Sequence, residues 1–188
     1  YETRERLELS APVAEDGDGT VKGCVHARDF LTVGSMGHAS QIALGIAKAQ
    51  PKRPVVCLDG DGASIMQMGN MAIAGQSGCG NLTHVVLNNA AHDSVGGQPT
   101  VGGAVDFTEI AQAVGYDVVY PDWDALLHST EEMRLISKLK EFGDCDPSGR
   151  RPRFMEVRVC KGARKDLGRP KEPPQANKKL FMETLTHG

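Results

Sequence analysis

The 188-residue sequence contains no apolar run approaching the roughly 18 residues that a membrane-spanning helix needs. Nor does it carry an excess of basic charge. Its 21 Lys and Arg stand against 24 Asp and Glu, a formal net charge of −3 with both signs mixed along the chain, so the electrostatic footprint of nucleic-acid binding is missing. The five cysteines, Cys24, Cys57, Cys79, Cys145 and Cys160, include no Cys-x-x-Cys pair. Zinc or iron–sulfur ligation through paired thiolates therefore has little support. An odd, scattered count fits a reducing compartment better than a disulfide framework, and the expected localisation is cytoplasmic. Cys57, inside an apolar run, reads as a small core residue. The opening Tyr1-Glu2-Thr3-Arg4-Glu5-Arg6 has neither the apolar core nor the cleavage site of a signal peptide. The first residue is not Met, and residues 1–9 read like a helix entered partway. The expectation is a fragment, a processed product or one subunit of a larger enzyme.

What is present suits one well-formed core. Residues 15–20, acidic and glycine-rich, read as a loop. Beyond them β-rich runs at 30–33, 55–58, 84–87, 118–120 and 154–159 alternate with helical patterns at 39–49, 64–76, 107–114, 123–142 and 175–185. Residues 144–153, polar and arginine-rich, read as a surface loop. The runs at 55–58 and 85–87 are apolar at consecutive positions, the pattern of strands buried on both faces of a parallel sheet. Strand and helix in turn imply right-handed βαβ units. The predicted fold class is α/β, a doubly wound, mostly parallel sheet with helices on both faces. Residues 1–27 are expected to be a helix remnant and loop, and residues 28–188 one ligand-binding domain.

In such sheets ligands gather beyond the carboxyl ends of the strands. One predicted strand ends in Asp59-Gly60-Asp61-Gly62 and leads through Ala63-Ser64 into a helix; the next ends in Asn88-Asn89-Ala90-Ala91. Asp61 offers a carboxylate, Asn89 a side-chain carbonyl and Ala91 a backbone carbonyl. Together they make an oxygen set for magnesium, which favours one or two protein oxygens plus phosphates. Gly60 and Gly62 allow close backbone approach, and N–H groups opening the Ser64 helix can face an anion. Each motif by itself is also a common string: Gly-Asp-Gly is a turn and Asn-Asn a helix cap. Their pairing after two buried strands favours the metal reading.

Gly60-Asp61-Gly62 followed by Asn88-Asn89 resembles the signature of thiamine-diphosphate enzymes. The resemblance implies that Asp61, Asn89 and the Ala91 carbonyl hold Mg2+ against the cofactor diphosphate. Gly34-Ser35-Met36-Gly37 is similar to a Gly-x-Met-Gly motif of the acetolactate-forming relatives. By that analogy Met36 wedges the cofactor into its folded shape, while the Gly34 carbonyl and Met36 N–H contact the pyrimidine; Met36 as core filler is the alternative. Longer blocks resemble the phosphonopyruvate decarboxylase family: residues 28–40, 88–100 and 161–170. That likeness implies decarboxylation of 3-phosphonopyruvate to phosphonoacetaldehyde and CO2. One departure is Ala90, where the family pattern leads us to expect glycine.

Position then nominates His92 and Ser94 as catalytic contacts, with Asp93 on the same loop; His92 could move a proton near neutral pH. Gln98 and His38 are weaker polar candidates. Arg164, Lys165 and Arg169 could attract a phosphonate, or could simply be solvated. The activating glutamate of thiamine enzymes sits, in the family, on a separate pyrimidine-binding domain for which this chain has no room. The resemblance therefore implies a partner domain or subunit in a homo- or hetero-oligomer. Alternatives are a sulfopyruvate decarboxylase β subunit, the β subunit of a 2-oxoacid oxidoreductase, and a noncatalytic module that has kept the fold.

Overall fold

The computed structural model describes residues 27–120, 149–162 and 172–187. They fall into two compact units, one made from both chain ends (up to Gly34 and from Arg164) and one spanning Ser35–Ala163.

The larger unit is built on a parallel sheet. Its elements in chain order are α1 (Ala39–Ala49), β1 (Val55–Gly60), α2 (Asp61–Met66), α3 (Gly69–Gly75), β2 (Leu82–Asn88), β3 (Ala91–His92), β4 (Gln98–Pro99), α4 (Phe107–Val114), β5 (Asp117–Val118) and β6 (Arg153–Arg158). The strand order is β1-β2-β6-β5 with every pairing parallel, and β3 and β4 form a separate antiparallel pair. The predicted α/β class is the observed one.

Local sequence explains the best-defined helices. In α1, Ser40, Ala43, Leu44 and Ala47 are buried, a stripe at helical spacing. The α4 helix opens on Asp106, whose Oδ1 accepts from the Thr108 and Glu109 N–H groups, and closes on Gly115 at φ +103°. Both ends are thus capped by residues suited to the task. These helices and α3 cover one sheet face, where Ala43, Leu44, Met71, Ala74, Phe107 and Ala111 pack on Cys57, Leu82, Val86 and Phe154. On the opposite face Val85, Met155 and Val157 form a second buried cluster. A buried aromatic such as Phe154 makes the main core costly to disrupt, about 3–5 kcal/mol on truncation to Ala.

Three expectations need correction. The run at 30–33 is not a strand: in the smaller unit the Leu31 N–H donates to Asn177 Oδ1 at 2.9 Å and Asn177 Nδ2 donates to the Asp29 carbonyl at 2.8 Å. A side chain of α5 (Pro174–His187) satisfies that backbone, with Phe30 edge-on to Phe181 at 5.5 Å. The expected single helix over 64–76 is two, because Gln67 departs from helical geometry at φ −135° and ψ 46°. And β1 is not buried on both faces. As the edge strand it alternates, leaving Val56 40% and Leu58 44% exposed, whereas central β2 is buried nearly throughout. The expected helix over 123–142, the loop at 15–20 and the basic tail with Arg164, Lys165 and Arg169 lie outside the described residues.

Candidate functional site

Parallel pairing in the register Gly60↔Leu87 brings the carboxyl ends of β1 and β2 side by side. Asp61 starts α2 immediately beyond one tip, and Asn88 closes the other. The Asp61 side chain is 1% exposed. Its Oδ2 accepts a short hydrogen bond from the Thr100 hydroxyl. Thr100 Oγ1 in turn accepts from the Gly102 N–H at 3.1 Å. A Cβ at Gly102 would collide with the Asp61 carboxylate and come within 2.8 Å of Asn88 Oδ1. Only glycine lets that backbone lie against the two tips.

Among the described residues no Lys, Arg or His forms an ion pair with Asp61. A buried carboxylate with one neutral donor bears a large desolvation cost. A hard divalent cation offsets it, and the donors at hand, carboxylate and amide oxygens, are those magnesium prefers. The residues present therefore fit such an ion.

The two asparagines divide the work. Asn88 is structural: Nδ2 donates to the Gly102 carbonyl at 2.8 Å and to Glu156 Oε1 at 2.7 Å, while Oδ1 accepts from the Ala90 N–H at 3.0 Å. Asn89 is more open. Its Oδ1 accepts from the Ala91 N–H at 3.0 Å and its Nδ2 donates to Asp93 Oδ2 at 2.7 Å. Ala90, which follows the pair, takes φ +54°, the one positive-φ non-glycine among the described residues. That conformation accounts for a pattern in which glycine is expected at this position.

Ala91 is buried in β3, opposite Pro99. His92 packs its imidazole against Gly62 so closely that a Cβ there would collide with it and meet Thr100 Cγ2 at 3.1 Å. Ser94 is exposed on a single 3-10 turn, Asp93–Val95, and Gln98 is exposed in β4. The structure thus gathers Asp61, Gly62, His92 and Thr100 into one cluster. At the amino end of α2, Gly60 is extended, at φ −98° and ψ 155°, and Ala63 and Ser64 follow in the helix; the buried Ser64 Oγ has no partner among the described residues.

Residues 35–38 make a turn closed by the His38 N–H donating to the Ser35 carbonyl at 3.0 Å. Gly37, at φ +86°, sits so near α2 that a Cβ would meet Gln67 Cγ at 2.7 Å and the Ala63 carbonyl oxygen at 2.8 Å. Asn70 Nδ2 fixes the turn by donating to the Gly37 carbonyl at 2.9 Å. Ser35 is exposed and Met36 is 40% exposed, outside the core. Gly34 has φ +78°. His38 makes no capping hydrogen bond with its side chain. Thr100, Gly102 and Glu156 carry roles that sequence reading missed. The one local signal was Thr100-Val101-Gly102, a polar cap before a glycine that needs room.

A parallel α/β sheet with a buried carboxylate and an asparagine pair at adjacent strand tips is the architecture of thiamine-dependent enzymes. A solved transketolase from Pichia stipitis superposes with a TM-score of 0.51, over 68% of this chain and 20% of that one, at 18% identity, a likeness of fold. Residues 19–144 match the thiamine pyrophosphate enzyme C-terminal TPP-binding domain, and the chain belongs to that family. It is 36% identical over 159 residues to phosphonopyruvate decarboxylase of Streptomyces viridochromogenes, covering 84% of this chain and 36% of that protein. It is 40% identical over 92 residues to the sulfopyruvate decarboxylase β subunit of Methanothermobacter thermautotrophicus, 49% of each chain. The chain thus spans about a third of the length of the phosphonopyruvate decarboxylase it matches. Among the described residues no helix is long and apolar enough to cross a membrane.

Proposed function

We propose that this chain, through residues 28–188, is the diphosphate- and magnesium-binding part of a carboxy-lyase that converts 3-phosphonopyruvate to phosphonoacetaldehyde and CO2. The observation that carries the reading is the buried Asp61 carboxylate, which has no cationic partner among the described residues and lies at a strand tip beside the asparagine pair. Likeness to phosphonopyruvate decarboxylase over 84% of the chain supports the substrate. Asp61, Asn89 and the Ala91 carbonyl hold Mg2+. Gly60, Gly62, Ala63 and Ser64 receive the diphosphate. Gly34, Ser35 and Met36 receive the pyrimidine, a role that suits a half-exposed Met36 on a pinned turn. When bound, thiamine diphosphate supplies the nucleophilic carbon and the electron sink that decarboxylation requires.

The chain's own residues bind, orient and move protons. His92, held against Gly62 beside Asp61, is the proton-moving group nearest the metal end, and Ser94 offers a hydroxyl on the same loop. A pyrimidine-binding domain or subunit contributes the activating glutamate, with the active site at the junction. The assembly works as a cytoplasmic oligomer in phosphonate metabolism. A second reading, sulfopyruvate decarboxylase β subunit, draws on the 40% identity over 92 residues.

The test combines the chain with a pyrimidine-domain partner, Mg2+ and thiamine diphosphate, and follows CO2 release from 3-phosphonopyruvate and sulfopyruvate. A higher kcat/KM on the phosphonate is expected. Preference for the sulfonate would favour the second reading. No turnover of either, with cofactor bound, would leave a noncatalytic module.

A further inference from the structure

A second polar cluster lies within the main core, on the sheet face covered by α1, α3 and α4. Cys57 and Asp59 are two apart on β1 and so share a face. His84 on β2 is the register partner of Cys57. The three side chains are buried, and their ligating atoms all lie within 4.8 Å of one another. His84 Nε2 stands 3.4 Å from Asp59 Oδ2. Among the described residues neither ring nitrogen of His84 has a hydrogen-bond partner, and Asp59 Oδ2 and the buried Tyr116 hydroxyl have none either. His84 is 1% exposed, so water does not satisfy it from outside. Four polar atoms left open in one dry region need an explanation. The proposed reaction uses none of them.

We propose that Cys57, Asp59 and His84 form a structural site for a borderline-soft divalent cation of the zinc class, distinct from the magnesium position at Asp61. Thiolate, carboxylate and imidazole are the donors that zinc takes in tetrahedral sites. Bonds of about 2.1 Å put neighbouring ligand atoms about 3.4 Å apart in a tetrahedron, and the His84–Asp59 separation already has that value. The set closes electrically: one thiolate and one carboxylate cancel a dication, so no net charge enters the core. Phe154, edge-on to His84 at 5.6 Å, and Tyr116, with its ring 6.2 Å away, pack against the imidazole. The fourth place falls to the Tyr116 hydroxyl or to a water. Burial pushes the Cys57 thiol far above its usual range. A bound dication reverses that preference, so uptake releases the thiol proton to solvent. Sequence spacing hides such a site because its ligands come from different strands.

The 188-residue chain is unfolded with a chelator, then refolded under reducing conditions with excess Mg2+ and one equivalent of Co2+ or Zn2+. After desalting, metal content and absorption are measured. The expected result is close to one metal per chain. The cobalt form should show the ligand-field bands of a tetrahedral centre and a thiolate-to-cobalt charge-transfer band. That band should persist in Asp61→Ala and in the Cys79→Ala/Cys160→Ala double variant, and vanish in Cys57→Ala. Its persistence in Asp61→Ala separates this site from the magnesium position. Folded wild-type chain that keeps no cobalt, or shows no thiolate band, overturns the proposal without recourse to any variant. It would leave Asp59 and His84 as a buried ion pair. A band unchanged in Cys57→Ala would overturn it equally.

Discussion

The Thr100 hydroxyl donates to Asp61 Oδ2 across the space between α2 and the 3-10 turn that follows β4. One oxygen of the carboxylate is thereby held, and the side chain is oriented before any ion arrives. Replacing Thr100 by Val keeps the shape and removes the donor. Cofactor Kd in the assembled enzyme should rise about tenfold, equivalent to about 1.4 kcal/mol, by calorimetric titration in excess Mg2+. Asp61→Ala removes the carboxylate itself and should abolish magnesium-dependent binding. Unchanged affinity in that variant would remove Asp61 from the metal site.

Ala90 stands at φ +54°. A left-handed conformation costs an L-residue roughly 1–2 kcal/mol that glycine avoids, and glycine gives back roughly 0.5–1 kcal/mol in chain entropy. The balance favours Ala90→Gly by about 0.5–1 kcal/mol, and Tm should rise by about 1–4 °C. Ala90→Val should lower it, the β-branched side chain being worse still in this region. A thermal melt of the three chains checks the order.

Asn88 joins three segments through its bonds to Gly102, Glu156 and Ala90. Truncation to Ala leaves a buried carbonyl, a carboxylate oxygen and an N–H short of partners. The loss should be about 3 kcal/mol, a fall in Tm of about 6–12 °C. Asn89→Ala, on the more open neighbour, should cost stability less and magnesium-dependent affinity more. Melts and titrations on both variants separate the two roles.

Asp106 caps α4, and its hydrogen bonds, first from the Thr108 hydroxyl and then from the Glu109 N–H, hold its carboxyl below the ordinary carboxylate range. A depressed folded-state pKa means the contribution is complete above the unfolded value and fades as pH falls through the folded one. Asp106→Ala should therefore lower Tm at neutral pH. The difference from wild type should shrink toward acid. Denaturation series at neutral pH and in the acid range test the sign.

What could be read without coordinates follows the range of the forces involved. The helix Ala39–Ala49 matched because its apolar period is local, and Phe107–Val114 because its period, cap and glycine stop are. The pairing of Asp61 with the asparagines was legible because two strand tips in a parallel sheet face one way. Residues 30–33 looked like a strand until Asn177, far along the chain, took their backbone bonds. Nothing local marked β1 as the edge strand. The division between Asn88 and Asn89 was equally hidden, since both stand in one motif and only Glu156 and Gly102 tell them apart. The buried Cys57–Asp59–His84 group depends on strand register, which no spacing reveals.

Asp93 Oδ2 also accepts from the Gly162 N–H at 2.8 Å while it takes the nitrogen end of the Asn89 carboxamide. That amide is consequently not free to turn over. Its oxygen is kept toward the Ala91 side, and a cation arriving there meets a lone pair rather than an N–H dipole. A single aspartate thus decides which end of the proposed magnesium ligand stays open, and ties that decision to the backbone beyond β6.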